Sequence, residues 1–301
     1  MSLLIAGGSG FIGRSLTNFF RSAGSKVYVV TREPKNEDDI SWMQLKANGL
    51  PENTKAVINL SGRSIAEFSP LYLINRYYQP YRKELFDSRL ETTKAIVKAI
   101  TESKTHPEIF INASAIGFYQ PSFDESYTET SPYKDHDFIT RLCRDWEAAA
   151  QIPNMPEVRT VQLRFGLVLG SGGGILQKMY WPFFLGFGGP IGSGSQWMSW
   201  IHMEDIIGLI KFTIDNKNVS SGPLNATSPN PVTNKQFATS LGRALFRPAI
   251  IPTTELPIKC VFGERASLFL DGQRVIPQKS LELGFNFKYP HLDEALKAVY
   301  G

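Results

Sequence analysis

Three glycines carry the first chemical signal in this chain of 301 residues. Gly7, Gly10 and Gly13 stand at regular spacing directly after the apolar run Ser2-Leu3-Leu4-Ile5-Ala6. Behind them Ile12, Leu16, Phe19, Phe20 and Ala23 recur at helical spacing, and Gly24 stands where a helix C-cap is expected. Lys26 to Thr31 reads as a second strand, apolar enough to be buried on both faces. A strand, a glycine turn, a helix and a second strand in this order suit the pyrophosphate of a dinucleotide. The early glycines let the backbone approach the phosphates, and the last lets helix pack on strand. The helix N-terminus offers free N–H groups to the anion. Gly7, Gly10, Phe11, Ile12 and Gly13 are the candidate cofactor contacts here. A glycine-rich turn without a ligand is the plainer alternative. The second strand, arriving on schedule, is the context that favours the dinucleotide.

The end of that second strand bears on which dinucleotide. A site for NAD places an Asp or Glu about 20 residues beyond the glycines, to hold the ribose 2′-hydroxyl. Thr31 stands there, followed by Arg32. A carboxylate repels a 2′-phosphate, whereas a guanidinium binds it through charge-assisted hydrogen bonds. Thr31 and Arg32 therefore predict NADP(H), bound as NADPH in the reduced form, over NAD(H). Glu33 would restore an acidic residue if the register slipped by two.

The elements that must position these residues alternate through the first half of the chain. Ala56 to Leu60 reads as a strand ending at Ser61-Gly62, and a long helix follows from about Leu85. Ile109 to Ala113 is the next strand, ending at Ser114; Asp137 to Ala150 is helical, and Thr160 to Arg164 is a further strand. Strands alternating with helices predict an α/β fold with a Rossmann-type, doubly wound parallel sheet. After Arg164 the texture changes. Gly170–Gly174 and Gly186–Gly194 are glycine-dense, Ile206–Ile214 is a short apolar helix, and Leu224–Ala226 is a strand. Thr233 and Gln236 fit a capping box opening a helix to about Phe246. The expected division is a dinucleotide-binding domain over residues 1–165, with returning segments from about 195–230, and a smaller mixed α+β lobe over 166–301.

Composition excludes several classes. With 32 basic against 28 acidic residues, nothing in the overall balance calls for nucleic acid or an anionic membrane as the main partner. The aromatic–basic stretch Tyr77 to Lys83 reads as a helix start over a cofactor cleft rather than a base-stacking surface. Cys143 and Cys260 form neither a disulfide framework nor a metal-ligand spacing. No apolar run reaches a membrane span, and with a core strand starting at Ser2 a cytoplasmic protein is expected. Gly170–Gly174 is no P-loop, because no Gly-Lys-Ser/Thr closes it.

Taken together, the chain resembles the extended short-chain dehydrogenase/reductase group, the nucleotide-sugar epimerases and their relatives. Gly7-x-x-Gly10-x-x-Gly13, the stretch Ser114 to Tyr119 and the stretch Trp200 to Asp205 carry that resemblance. More narrowly it is similar to the atypical "epimerase family" branch with its own C-terminal domain, here about 248–301. Asn59-Leu60-Ser61-Gly62, Ser88 to Thr93, Asp145 to Ala149, Gly272 to Pro277 and Gly284-Phe285 carry this second match. The resemblance implies an NADP(H)-holding Rossmann domain and a lobe closing over the nicotinamide end. It also implies cofactor contacts at Asn59, Leu60, Glu84, Arg89 and Leu167. For Arg89 a solvated helix face is the alternative.

One feature of the group is missing. Its hydride-transfer enzymes use a Tyr and a Lys four residues later on one helix face, where the ammonium lowers the phenol's pKa for proton shuttling. No tyrosine here is followed by Lys at that spacing; anchoring on Glu147, Ile139 and Cys143 occupy the two places. Ser114 and Tyr119, leaving the strand end that faces the nicotinamide in the group, are the candidate catalytic hydroxyls; hydrogen bonding to loop backbone is the alternative. Cys143 reads as an inert helix thiol and His202 as architectural. The expected function is an NADP(H)-dependent oxidoreductase or epimerase-like enzyme acting on an unknown small molecule, possible as a homodimer. The competing reading is a catalytically silent NADPH-binding scaffold or sensor.

Overall fold

The computed structural model describes residues 1–64 and 75–301, without the side chains of 75–78, 261, 262, 264, 265 and 268. The first elements are β1 (Ser2–Ala6), α1 (Phe11–Ser22), β2 (Lys26–Thr31), β3 (Asp39–Ser41), α2 (Trp42–Asn48), β4 (Ala56–Asn59), α3 (Asn75–Thr101) and β5 (Ile109–Ala115). There follow β6 (Ser126–Tyr127), α4 (Phe138–Ala149), β7 (Arg159–Phe165), β8 (Leu167–Leu169), α5 (Gly174–Phe184), β9 (Trp197–Met198), β10 (Trp200–His202) and α6 (Met203–Asp215). The chain continues through β11 (Gly222–Ala226), β12 (Val232–Thr233), α7 (Asn234–Ala244), α8 (Glu255–Phe262) and α9 (Ser267–Leu270). It ends with β13 (Arg274–Val275), α10 (Gln278–Glu282) and α11 (Leu292–Tyr300).

A seven-stranded sheet runs in the order β11-β7-β5-β4-β1-β2-β3. Strands β1, β4 and β5 are almost wholly buried and β2 half so, as a parallel sheet covered on both faces demands. Their register places Ala6 beside both Val30 and Asn59, and Asn59 beside Asn112. The carboxyl ends of these strands are thereby level, the place where open α/β sheets bind ligands. Leu4, Val30, Val57 and Phe110 pack with Ile96 and Ile100 of α3 in one core.

The chain divides into two compact units. One comprises Met1–Ser114, Arg141–Leu163 and Ile210–Pro223; the other Ala115–Thr140, Arg164–Leu209 and Leu224–Gly301. The second unit contains three two-stranded sheets: β10 with β8, β12 with β9, and β13 with β6. Trp200, Phe237, Leu241 and Leu296 centre its core. Two helices differ from expectation. α3 starts at Asn75, ten residues earlier than the apolar pattern indicates, and carries Pro80 inside it. α5 occupies a stretch whose flanking glycines had masked its helical character.

Candidate functional site

In the first unit, the turn after β1 is built around two glycines that admit nothing else. Gly7 has φ +77°, and a Cβ there would stand 2.8 Å from the Leu60 backbone. A Cβ on Gly13 would stand 2.2 Å from the Gly7 carbonyl oxygen. Gly10 differs: its φ is −74°, and an added Cβ would meet only the Gly7 oxygen, at 3.2 Å. Gly10 is also the N-cap of α1, with no side-chain cap bond and no acidic residue in the first turn. The helix thus opens with N–H groups that no side chain caps and no carboxylate opposes.

That helix end faces a cavity of about 800 Å³, walled by Gly7, Ser9, Gly10, Val30, Thr31, Arg32, Trp42, Leu60, Ser61, Gly62, Arg63, Ser64 and Glu84, among others. A second cavity of about 400 Å³ shares Ser9, Thr31 and Arg32 and adds Arg14, Thr17, Arg21, Glu33, Lys35 and Asp39, among others. Thr17 is buried and its Oγ1 has no hydrogen-bond partner. A large cavity at an open helix N-terminus, joined at Arg32 to a mainly basic recess with an orphaned hydroxyl, fits a dinucleotide carrying an extra phosphate.

The sequence candidates divide between the cavity wall and its backing. Gly7, Gly10, Thr31, Arg32, Leu60 and Glu84 are on the wall, where Glu84 forms an ion pair with Arg63. Gly13 packs against the turn from behind. Phe11 and Ile12 open α1 directly after Gly10. Asn59 is fully buried. Its Nδ2 donates to Thr93 Oγ1 at 2.9 Å and to Asn112 Oδ1 at 2.7 Å, and its Oδ1 accepts from the N–H and hydroxyl of Ser61. Asn59 therefore shapes the wall at Ser61 from within. Arg89 is buried too, contrary to a solvated helix face. It donates from Nη1 to the Leu85 carbonyl (3.0 Å) and from Nη2 to the Arg63 carbonyl (2.9 Å). The guanidinium fastens the segment after β4 to α3. Leu167 belongs to the second unit, where it pairs with Trp200 and packs on that unit's core.

Trp42 and Arg63 escaped sequence reasoning. Trp42 had a signal: Ser41 and Gln44 form a capping box that places Trp42 at the first helical position of α2. In the stretch Tyr77 to Lys83, the side chains of Tyr77 and Tyr78 lie outside the described residues; Tyr81 donates to the Ser64 carbonyl at 2.7 Å.

The catalytic candidates part company. Ser114 Oγ donates to Glu147 Oε1 at 2.6 Å within the first unit, and both residues are buried. Tyr119 lies inside the second unit at 1% exposure. Its hydroxyl accepts from Arg164 Nη1 (2.8 Å) and contacts the Thr128 carbonyl (3.0 Å) and Asn225 Oδ1 (2.8 Å). Burial pushes the phenol's pKa up, against the opposing pull of the Arg164 cation. These contacts commit the hydroxyl's proton to Asn225 or Thr128 and one of its lone pairs to Arg164. His202 is buried against Tyr289, with ring centroids 4.2 Å apart, and its Nδ1 accepts from the Glu204 N–H. Cys143 is buried on α4 and in no disulfide.

Comparison with known proteins decides the family. Residues 3–226 match the NAD dependent epimerase/dehydratase family. The chain belongs to that family. Residues 253–299 match a second domain, DUF1731, of unknown function. Epimerase family protein SDR39U1 of Mus musculus is 42% identical over 300 residues, 99% of each chain. Epimerase family protein YfhF of Bacillus subtilis is 35% identical, over 99% of this chain and 98% of its own. The crystal structure of human epimerase family protein SDR39U1 with NADPH superposes with a TM-score of 0.93 at 41% identity, covering 100% of this chain and 99% of that one. Among the described residues no helix is long and apolar enough to cross a membrane.

Proposed function

We propose that this family member binds NADPH in the cavity at the glycine turn and transfers hydride to or from a small molecule. The uncapped N-terminus of α1, opening on that cavity beside Arg32, carries the reading. The NADPH complex of a relative 41% identical supports it. Gly7, Gly10, Phe11 and Ile12 would receive the pyrophosphate. Thr31 and Arg32 would receive the 2′-phosphate, with the basic recess of Arg14 and Lys35 beside them. Leu60 and Trp42 would border the adenosine, with Asn59 and Arg89 acting from behind the wall. Bound NADPH supplies the hydride; the chain supplies orientation and proton handling.

For the proton, Ser114 is the favoured candidate. It leaves the carboxyl end of β5, and Glu147 accepts its hydrogen bond, so its lone pairs are left for another donor. The test is oxidation of NADPH, followed at its nicotinamide absorbance, with a panel of carbonyl compounds and sugar nucleotides. Turnover should fall by about 10²–10⁴-fold in Ser114→Ala. Tyr119→Phe should chiefly destabilise the second unit instead, because it leaves Arg164 a donor short of an acceptor.

A second reading has its own observation. Ile139 and Cys143 occupy the places where the group carries its Tyr and Lys, and Cys143 is buried. A protein that binds NADPH and signals its presence without hydride transfer follows from that. NADPH binding without turnover across the whole panel would favour it.

A further inference from the structure

We infer that the end of α5 and the turn after α7, both within the second unit, form a docking surface for an anionic lipid bilayer. Five large apolar side chains stand out in solvent there. Trp181 is 62% exposed, Leu185 61%, Phe187 66%, Phe246 89% and Ile250 78%. They belong to one patch. Arg247 lies over the Phe184 ring at 4.9 Å and donates to the Phe184 carbonyl at 2.9 Å. The Ile251 N–H donates to the Gly188 carbonyl at 3.2 Å, tying the second segment to the first. Single exposed apolar groups are ordinary on a protein surface; a contiguous patch of them marks a place of contact.

Phe246 is the sharpest feature. Its φ is 53°, in the left-handed region. It closes α7 in a Schellman turn, with Arg247 N–H donating to the Gly242 carbonyl and Phe246 N–H to the Arg243 carbonyl. Glycine is the ordinary residue at that position because it has no Cβ to strain the backbone. An aromatic ring held there and turned into solvent adds nothing to the core. It suits a wedge entering an apolar medium.

Charge selects the partner. Residues 174–189 and 242–252 contain Lys178, Arg243 and Arg247 and no carboxylate. Beyond these segments, Asp293 pairs with Arg243 at 3.1 Å. The chain's overall balance conceals this local excess. A second copy of the chain, meeting the patch with its own, would oppose like charges. An anionic bilayer meets both halves of the chemistry: aromatic rings settle at headgroup depth, and cations are drawn to the negative surface. α5 has 11 residues, too few to span, so the attachment is peripheral.

The test is cosedimentation of the full chain with vesicles of equimolar phosphatidylcholine and phosphatidylserine, against phosphatidylcholine alone. Binding to the anionic vesicles that weakens with added salt is expected. Phe246→Gly should lower it by about tenfold or more, while the thermal midpoint stays the same or rises because the turn relaxes. Arg247→Glu should also lower it by about tenfold or more. Absence of cosedimentation at low ionic strength overturns the proposal. So does equal binding to neutral vesicles, or undiminished binding by Phe246→Gly. A concentration-dependent dimer that Phe246→Gly dissolves, without vesicle binding, would assign the patch to a second copy instead.

Discussion

Gly10 and Gly13 look equivalent in the sequence and are not equivalent in space. A side chain at Gly13 collides with the turn's own backbone, whereas one at Gly10 has ordinary φ and projects from the cavity wall. Gly10→Val should therefore leave a folded protein that no longer binds NADPH, and Gly13→Val should fail to fold. Circular dichroism with calorimetric titration separates the two; near-native NADPH affinity in Gly10→Val would remove the phosphate from this turn. Arg32 carries a second residue-scale prediction. Loss of a charge-assisted contact costs about 1.5–3 kcal/mol, so Arg32→Ala should weaken NADPH by roughly one to two orders of magnitude. NADH should be nearly unaffected, and equal losses for the two cofactors would sink the assignment.

Elements in this chain are closed by short local devices, several of them legible in advance. The box expected at Thr233 and Gln236 is present, with Gln236 N–H on Thr233 Oγ1 at 3.3 Å and Thr233 N–H on Gln236 Oε1 at 2.8 Å. The start of α6 uses a longer-range clasp. Asp205 accepts from the N–H groups of Lys288 (2.6 Å) and Tyr289 (3.0 Å), and Glu204 pairs with Lys288. His202 sits within this clasp, and burial holds its imidazole below the ordinary 6.5. Its neutral form therefore contributes stability that is present above pH 6.5 and lost as the pH falls through the lowered folded value. Asp205 has the opposite sign: burial raises it above 3.8, so its contribution weakens as the pH rises through its own window, which begins there. The expected outcome is a thermal midpoint that drops between about pH 7.5 and about pH 5.5, with a smaller drop in His202→Asn. Parallel slopes for the two proteins would rule His202 out as the titrating group.

On the scale of the whole molecule, the two units carry different tasks. The first holds the two cavities at the glycine turn and the Ser114–Glu147 pair, and the second holds the Tyr119–Arg164–Asn225 core and the exposed patch. Ligand linkage gives a global test of the cofactor reading. A ligand that binds only the folded state at about 100 times its Kd stabilises by about 2.7 kcal/mol. NADPH should therefore raise the thermal midpoint more than NADH at equal concentration. In Arg32→Ala that difference should largely vanish; a difference that persists would assign cofactor choice to another residue.

The sequence by itself determined the glycine turn and the βαβ unit around it. Gly7, Gly10, Gly13 and Arg32 lie within one βαβ unit, where neighbours in sequence are neighbours in space and local backbone chemistry dictates the turn. The resemblance, not a local pattern, pointed to Asn59 and Arg89; the structure buries both, and burial depends on what packs above a residue. Tertiary structure decided the rest. Trp42 had a local sign in its capping box, but Arg63 and Thr17 reach the cavities through strand register and helix packing, which no local pattern encodes. Arg164 and Asn225, 45 and 106 residues away, close on the Tyr119 hydroxyl. Hydrogen bonds across such separations are set by the packing of the folded chain, and only the folded chain displays them.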